Sequence, residues 1–313
     1  MSERDATELP EKPKGRRRGL LLGGLALVVV LVAAAVFAVF GSGGSDESAG
    51  RTVRIGVTDA SKPYWATFKE LAAEQGIDLR TVNFSDYNQA NPALSQGQID
   101  VNLFQHLLFL ADYNVSTDDT LTPIGSTYVV PLSLYSQRHG DVAAIPRGGT
   151  VTIPNDATNQ ARALLVLQQA GLISLRGGGT PLSTAAEIDT AASKVRVLPV
   201  DAAQTVASLP SADAAIVNNN YALDAGLDPT SALFADDPAG PAAEPYTNAF
   251  VTRAEDKDDP TYAKLVEIYQ DERVSGQVQA DSKGTSVQVH RSPAELQAVL
   301  AELTGAVRAA GGK

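Results

Sequence analysis

The chain alternates two kinds of segment. Short β-branched runs end in polar turn residues, and longer stretches repeat apolar positions at helical spacing. Thr52 to Val57 is of the first kind and reads as a strand. Pro63 to Gly76 is of the second: Trp65, Phe68, Leu71 and Ala72 share a helical face, with proline near the start and glycine at the end. Leu79 to Phe84 reads as a second strand, Asn91 to Gln96 as a short helix closed by Gly97, and Ile99 to Phe104 as a third strand. The pattern then repeats. Thr127 to Ser136 is a long β-rich stretch. Thr150 to Pro154 is a strand, followed by a helix from about Ala157 to Ala170 with Gly171 as its stop. Val195 to Val200 reads as a strand, Ala202 to Leu209 as helical, and Ala214 to Asn218 as a strand leading to a helix near Tyr221. Asn248 to Arg253 is the last strand. Two amphipathic helices, about Pro260 to Gln277 and Pro293 to Ala309, close the chain.

This alternation predicts parallel sheets covered on both faces. The strands form two clusters, so the expected organisation is two α/β lobes. Lobe 1 takes residues 51–129 and 243–313, and lobe 2 takes residues 130–242. Two hinge crossings would then leave an interlobe cleft, and ligand sites favour domain interfaces and the carboxyl ends of parallel strands. Two independent domains in tandem are the alternative.

The first fifty residues do not follow the pattern. Gly19 to Phe40 carries no charge. As a helix it would reach about 33 Å, enough to cross a bilayer core of ~30 Å. Lys14, Arg16, Arg17 and Arg18 precede it, and no basic residue follows until Arg51. The positive-inside rule therefore predicts a cytoplasmic tail at 1–18, a transmembrane anchor at 19–40 and an extracytoplasmic remainder. Residues 41–50 (GSGGSDESAG) read as a flexible linker. A cleaved signal peptide, with Val36-Phe37-Ala38 as its cleavage site and a secreted product, is the competing reading. The length of the run favours the anchor. Arg17-Arg18 also resembles a twin-arginine signal, though simple charge flanking explains the pair.

Composition narrows the function. Of 313 residues, 44% are hydrophobic and 19% charged, which suits a globular core. Lys and Arg total 25 against 36 Asp and Glu, a net charge of −11. A nucleic-acid binder would show a basic surplus, so no nucleic-acid partner is expected. The charges of the first fifty residues cancel, so the whole excess lies on the exported part. The chain has no cysteine, which removes disulfides, thiolate metal sites, thiol catalysis and a lipidated N-terminal cysteine. Its three histidines, His106, His139 and His290, lie far apart. Neither a metal site nor a cofactor is expected.

Catalytic patterns are missing as well. The sequence holds no G-x-S-x-G, no H-E-x-x-H and no G-x-x-x-x-G-K-[ST]. Gly177-Gly178-Gly179 follows a helix instead of opening one and reads as a loop. Asp118-Asp119 and Asp236-Asp237 read as solvated turns. The chain is therefore not expected to be an enzyme.

Polar and aromatic clusters do recur where strands end. They are Phe84-Ser85-Asp86-Tyr87, Asn102 to His106 with Phe109 beyond, Pro154 to Asn159 with Arg162 beyond, Asn218 to Tyr221, and Tyr246-Thr247-Asn248. Together they offer an apolar slot and charge-assisted bonds, which suit a small zwitterion. Each also has a plainer role. Phe104 and Phe109 alone fit ordinary core, and His106 alone fits a satisfied structural histidine. The triple asparagine fits a turn, and Asp156 fits a helix cap. Arg162 near a helix start is mildly disfavoured by the dipole, which favours an anionic partner there.

These residues carry a resemblance. Phe84 to His106, Pro154 to Ile173, Asp213 to Leu227 and Pro245 to Arg253 resemble, in order and spacing, the NlpA-type lipoprotein family of methionine-binding components of ABC importers. The resemblance covers essentially the whole exported part. It implies an α/β type II periplasmic-binding-protein fold with the ligand between two lobes. It also implies roles: Tyr87, Phe104 and His106 line the ligand side chain, and Phe109 stands where members often carry tyrosine. Arg162 clamps the carboxylate, while Asn218 and Asn248 contact the head group. The implied partners are an importer permease and its ATPase. A different amino acid, a short peptide, or a membrane-anchored sensor or scaffold role are the alternatives. The family's usual lipidated cysteine is absent, and the apolar run at 19–40 stands in its place.

Overall fold

The computed structural model describes residues 50–311. The expected tail and membrane anchor lie outside these residues, as does the expected linker up to residue 49. Among the described residues no helix is long and apolar enough to cross a membrane.

The chain opens with β1 (Arg51–Val57), α1 (Tyr64–Glu74), β2 (Ile77–Asn83), α2 (Tyr87–Ser95) and β3 (Val101–Asn102). Helix α3 (Leu107–Thr117) leads to β4 (Thr122–Ser126) and β5 (Tyr128–Val129). The middle of the chain holds β6 (Ser133–Tyr135), β7 (Thr150–Pro154), α4 (Ala157–Gln169), β8 (Arg196–Val200), α5 (Thr205–Ser208), β9 (Ala214–Val217), α6 (Asn219–Asp224) and β10 (Phe234–Ala235). Strand β11 (Ala249–Thr252), helices α7 (Pro260–Gln270) and α8 (Glu272–Asp281), β12 (Val287–Gln288) and α9 (Pro293–Gly311) complete it.

Two five-stranded sheets result. The first runs β2-β1-β3-β11-β4, and the second β10-β6-β9-β7-β8; β12 pairs with β5 apart from both. The chain leaves the first sheet for the second between Ser126 and Ser133 and returns between Ala235 and Ala249. The sheets are mixed, which corrects the expectation of parallel ones. Strand β1 runs parallel to β2 and β3, but β11 is antiparallel to β3 and β4. In the second sheet β7 is parallel to β8 and β9, while β6 is antiparallel to β9 and β10. Helix–strand alternation fixes parallel pairing only for strands joined by a crossover within one sheet. Strands β6 and β11 arrive from the other sheet and are free of that constraint.

Several elements differ from their sequence reading for local reasons. Helix α2 starts at Tyr87, four residues early, because the Asp86 carboxylate caps it by accepting from Asn88 N at 2.9 Å. The β-rich stretch 127–136 is divided between β5 and β6. Helix α3 was not expected at all. Its sequence, LLFLADYNVST, buries polar Asn114 with Leu107, Leu110 and Ala111 and leaves apolar Phe109, Tyr113 and Val115 outside that stripe, so hydrophobicity does not follow the helical period. The predicted helix 260–277 breaks at Asp271, whose carboxylate accepts from Arg273 N at 2.9 Å and begins α8.

The first sheet has a core on each face. Trp65, Phe68, Phe250 and Leu265 pack on one side, and Leu94, Leu107, Leu110 and Leu296 on the other. The second sheet packs Leu134, Ile153, Leu164 and Ile216. Packing against the first sheet is close at Gly125 in β4: a Cβ there would meet Val266 Cγ1 at 2.4 Å and Cγ2 at 2.7 Å. Gly125→Ala is expected to cost about 1–3 kcal/mol by overpacking. Gly305→Ala, in α9 with open space around it, should gain up to ~1 kcal/mol from helix propensity. Urea unfolding of both variants checks the pair, and equal midpoints would contradict the packing argument.

Candidate functional site

A cavity of about 970 Å³, part of it open to solvent, is lined by residues from both sheets' strand ends and from the two chain crossings. All seven residues singled out from the sequence line it. Four come from the first sheet's connections. Tyr87 starts α2. Phe104 and His106 follow β3, and Phe109 lies in the first turn of α3. Their rings form one continuous apolar surface. Ring centroids lie 6.1 Å apart for Tyr87–Phe104, 5.8 Å for Phe104–Phe109 and 6.3 Å for Tyr87–Phe109. Tyr221 from α6 meets Tyr87 at 5.1 Å from the opposite side.

His106 is both structural and unsatisfied. Its Nδ1 accepts from Phe109 N at 3.1 Å and caps α3. A ring that accepts at Nδ1 carries its proton on Nε2, and this Nε2 is buried with no hydrogen-bond partner. Burial, together with the nearby Arg162 guanidinium, lowers the ring's pKa to about 3, with Asn159 acting weakly the other way. The imidazole is therefore neutral and offers one N–H donor.

Arg162, in the second turn of α4, is 4% exposed. Its Nε donates to Asp236 Oδ2 at 2.6 Å, and its Nη2 to Asp236 Oδ1 at 3.1 Å and Val130 O at 2.8 Å. The guanidinium also lies 4.1 Å above the centre of the Tyr246 ring. Asp236 Oδ1 accepts in turn from Leu132 N at 2.8 Å. Asp236 was read as a solvated turn; instead it is the half-buried counter-ion of Arg162. A partner 74 residues away leaves no local signal. Nη1 bonds to none of the described residues, which leaves one edge of the fork for an incoming anion.

The asparagines complete the polar end. Asn218 Nδ2 donates to Asn159 Oδ1 at 3.0 Å, while Asn218 Oδ1 is buried without a partner. Asn248 bridges to His106 through the backbone and donates from Nδ2 to Tyr128 O at 3.2 Å. A cationic donor, a neutral donor and a free acceptor thus face one cavity beside an aromatic wall. That set matches a ligand carrying an anionic group, a cationic group and an apolar arm.

Contacts across the rim close the cleft. Tyr87 Oη donates to Asn220 Oδ1, and Asn220 Nδ2 to Thr58 Oγ1 at 3.3 Å. Tyr221 Oη donates to Ser85 O at 3.0 Å. Lys62 pairs with Asp224 at 3.3 Å, and Lys283 with Asp228 at 2.6 Å. Sequence reasoning missed other lining residues: Asp59, Tyr128, Asp281 and Ser282. The Asp59 carboxylate accepts from Tyr64 Oη at 2.8 Å and Trp65 Nε1 at 3.0 Å. Burial nonetheless raises its pKa. Asn220, which also lines the cavity, was legible as part of the triple asparagine; Tyr128 lies in β5, and the others sit in a loop and at a helix end without pattern.

Two α/β sheets crossed twice by the chain, with a polar cleft between them, define the substrate-binding-protein class. The chain belongs to the NlpA lipoprotein family, whose pattern it matches over residues 53–290. It is 33% identical over 261 residues to the D-methionine-binding lipoprotein MetQ of Escherichia coli, covering 82% of this chain and 90% of that one. Its fold is similar to that of the substrate-binding protein of a methionine transporter from Streptococcus pneumoniae (TM-score 0.70, 33% identity, covering 76% and 95% of the two chains). It is likewise similar to a nutrient-binding protein from Burkholderia cenocepacia bound to methionine (TM-score 0.69, 33% identity, covering 75% and 99%).

The neutral His106 has a pH consequence. Between pH 6.5 and about 3 the unfolded chain protonates this ring and the native chain does not. Its contribution to stability is therefore complete above pH 6.5 and is lost as pH falls through that window. Between pH 7.5 and 5 the loss should be about 2 kcal/mol. His106→Asn keeps a cap acceptor but removes the titration, so its stability should fall less over the same interval. Parallel urea-unfolding slopes for the two proteins would show that the ring is not held neutral.

Proposed function

We infer that the chain is the substrate-binding protein of an ABC importer and that it captures methionine in the cleft between its sheets. The observation that carries this reading is the combination of unpartnered groups: Arg162 Nη1, His106 Nε2–H and Asn218 Oδ1 beside an aromatic wall. The relatives' methionine-binding names agree with it. Members of the family bind substrate without chemical turnover.

In this reading Arg162 meets the ligand carboxylate, and Asn218 with Asn248 holds the head group. Tyr87, Phe104, His106 and Phe109 surround the side chain. Phenylalanine at 109, where members often carry tyrosine, gives that wall one hydroxyl fewer. Residues 51–129 with 243–313, and residues 130–242, act as lobes that close on the ligand. The two crossings serve as hinges. Contacts from both lobes make the ligand bind the closed state better, which any ligand-driven closure requires. The closed face docks on the permease, whose ATPase works inside the cell. The apolar run at 19–40 anchors the chain in place of a lipid, with the N-terminus cytoplasmic and the cleft outside.

The test is a melting screen of the full chain in detergent, stripped of carried-over ligand by unfolding and refolding, against L- and D-amino acids and methionine dipeptides. Ligand at about 100 times its dissociation constant should stabilise the fold by ~2.7 kcal/mol. A response to methionine is expected. A response confined to other compounds moves the substrate, and silence from folded protein removes the importer reading. Arg162→Ala should weaken binding at least tenfold in calorimetry, because the ligand carboxylate is buried without its cation. Unchanged affinity would place the carboxylate elsewhere.

A further inference from the structure

Beneath the aromatic wall lie three amide side chains that bond to one another. Asn91, Asn102 and Gln105 are 1%, 0% and 3% exposed. Asn91 and Gln105 exchange two hydrogen bonds, Nδ2 to Oε1 at 2.8 Å and Nε2 to Oδ1 at 2.6 Å. Asn102 Nδ2 donates to Asn91 Oδ1 at 2.9 Å, and Asn102 Oδ1 accepts from Gln105 Nε2 at 2.9 Å. Amides this deeply buried are costly unless they satisfy one another, and aliphatic side chains would fill the same space without that cost. What a closed amide network adds is direction: it fixes distances that apolar packing leaves adjustable.

The positions it fixes are those of the ligand wall. Asn91 stands one helical turn after Tyr87 on α2, so both lie on one face. Phe104 sits in the chain between Asn102 and Gln105, and His106 follows directly. The wall also needs holding. A second groove, open to solvent, is lined by Tyr87, Asn91 and Phe109, so these side chains have a groove as well as the cleft beside them. Side chains that face open space on two sides are not fixed by packing alone.

We propose that the Asn91–Asn102–Gln105 network sets the spacing between Tyr87 and Phe104, and through it the range of side chains the cleft accepts. This rests on the amino-acid-binding reading of the cleft. Neither Asn91 nor Asn102 lines the ligand cavity; both are positioning residues that act through their neighbours.

The experiment compares the full-length wild-type chain in detergent with Asn91→Leu and Asn102→Ala. Dissociation constants for L-methionine and L-phenylalanine are measured by calorimetry alongside melting temperatures. The expected result is a preference for methionine over phenylalanine that falls at least tenfold in the variants, because the freed wall admits the larger ring. A lower melting temperature with an unchanged preference marks a purely structural network and overturns the proposal. Where both variants fail to fold, or the wild type binds neither probe, proton exchange at the three side-chain amides of the wild type decides. Strong protection supports a fixed network, and exchange at the rate of free amides overturns it. Wild-type silence towards both amino acids, with protected amides, counts against the amino-acid reading and leaves the network standing.

Discussion

The ion pair between Arg162 and Asp236 is the contact on which the arrangement of the cleft depends. Its cation comes from α4 on the second sheet, and its anion from the segment that leads the chain back to the first. The same guanidinium holds the Val130 carbonyl in the other crossing, and the same carboxylate holds Leu132 N. Tyr246, further along the return segment, covers the guanidinium face. One ion pair thus ties both crossings to one helix. Removing either partner strands the other charge, at a cost of about 3–5 kcal/mol. An anion reaching Nη1 therefore meets a group already coupled to both points about which the halves would move.

The remaining polar geometry follows from local caps. His106 faces the cavity because its other nitrogen is committed to the first turn of α3. Asn218 faces it because its Nδ2 is committed to Asn159, which is itself bonded to the Asp156 cap of α4. Each unpartnered atom is the unused half of a side chain whose other half serves the fold. This economy accounts for unsatisfied buried groups in a site that otherwise pairs its polar atoms.

Most strands and helices were legible because β-branched runs and helical spacing are local signals. The antiparallel insertion of β11 was not, since nothing in AFVT encodes direction. Helix α3 escaped because Asn114 lies on its buried stripe and Phe109, Tyr113 and Val115 lie off it. The seven residues that line the cavity were legible as polar and aromatic clusters near strand ends. Asp236 was not legible, because its meaning lies in a contact 74 residues away. Asn102 and Gln105 stood in a recognised motif, but their bonds to Asn91 appear only when α2 is laid against the end of β3.

The strand order carries a consequence for how the chain is made. In the first sheet β11 lies between β3 and β4, yet it follows them by more than a hundred residues. The second sheet draws all its strands from the unbroken stretch between Ser133 and Ala235. A chain emerging N-terminus first therefore completes its later sheet before its earlier one. Strands β3 and β4 wait meanwhile with open edges, the condition in which nascent sheets are most prone to mispair. Assembly of the first sheet is thus a long-range closure that waits for four residues, Ala249 to Thr252.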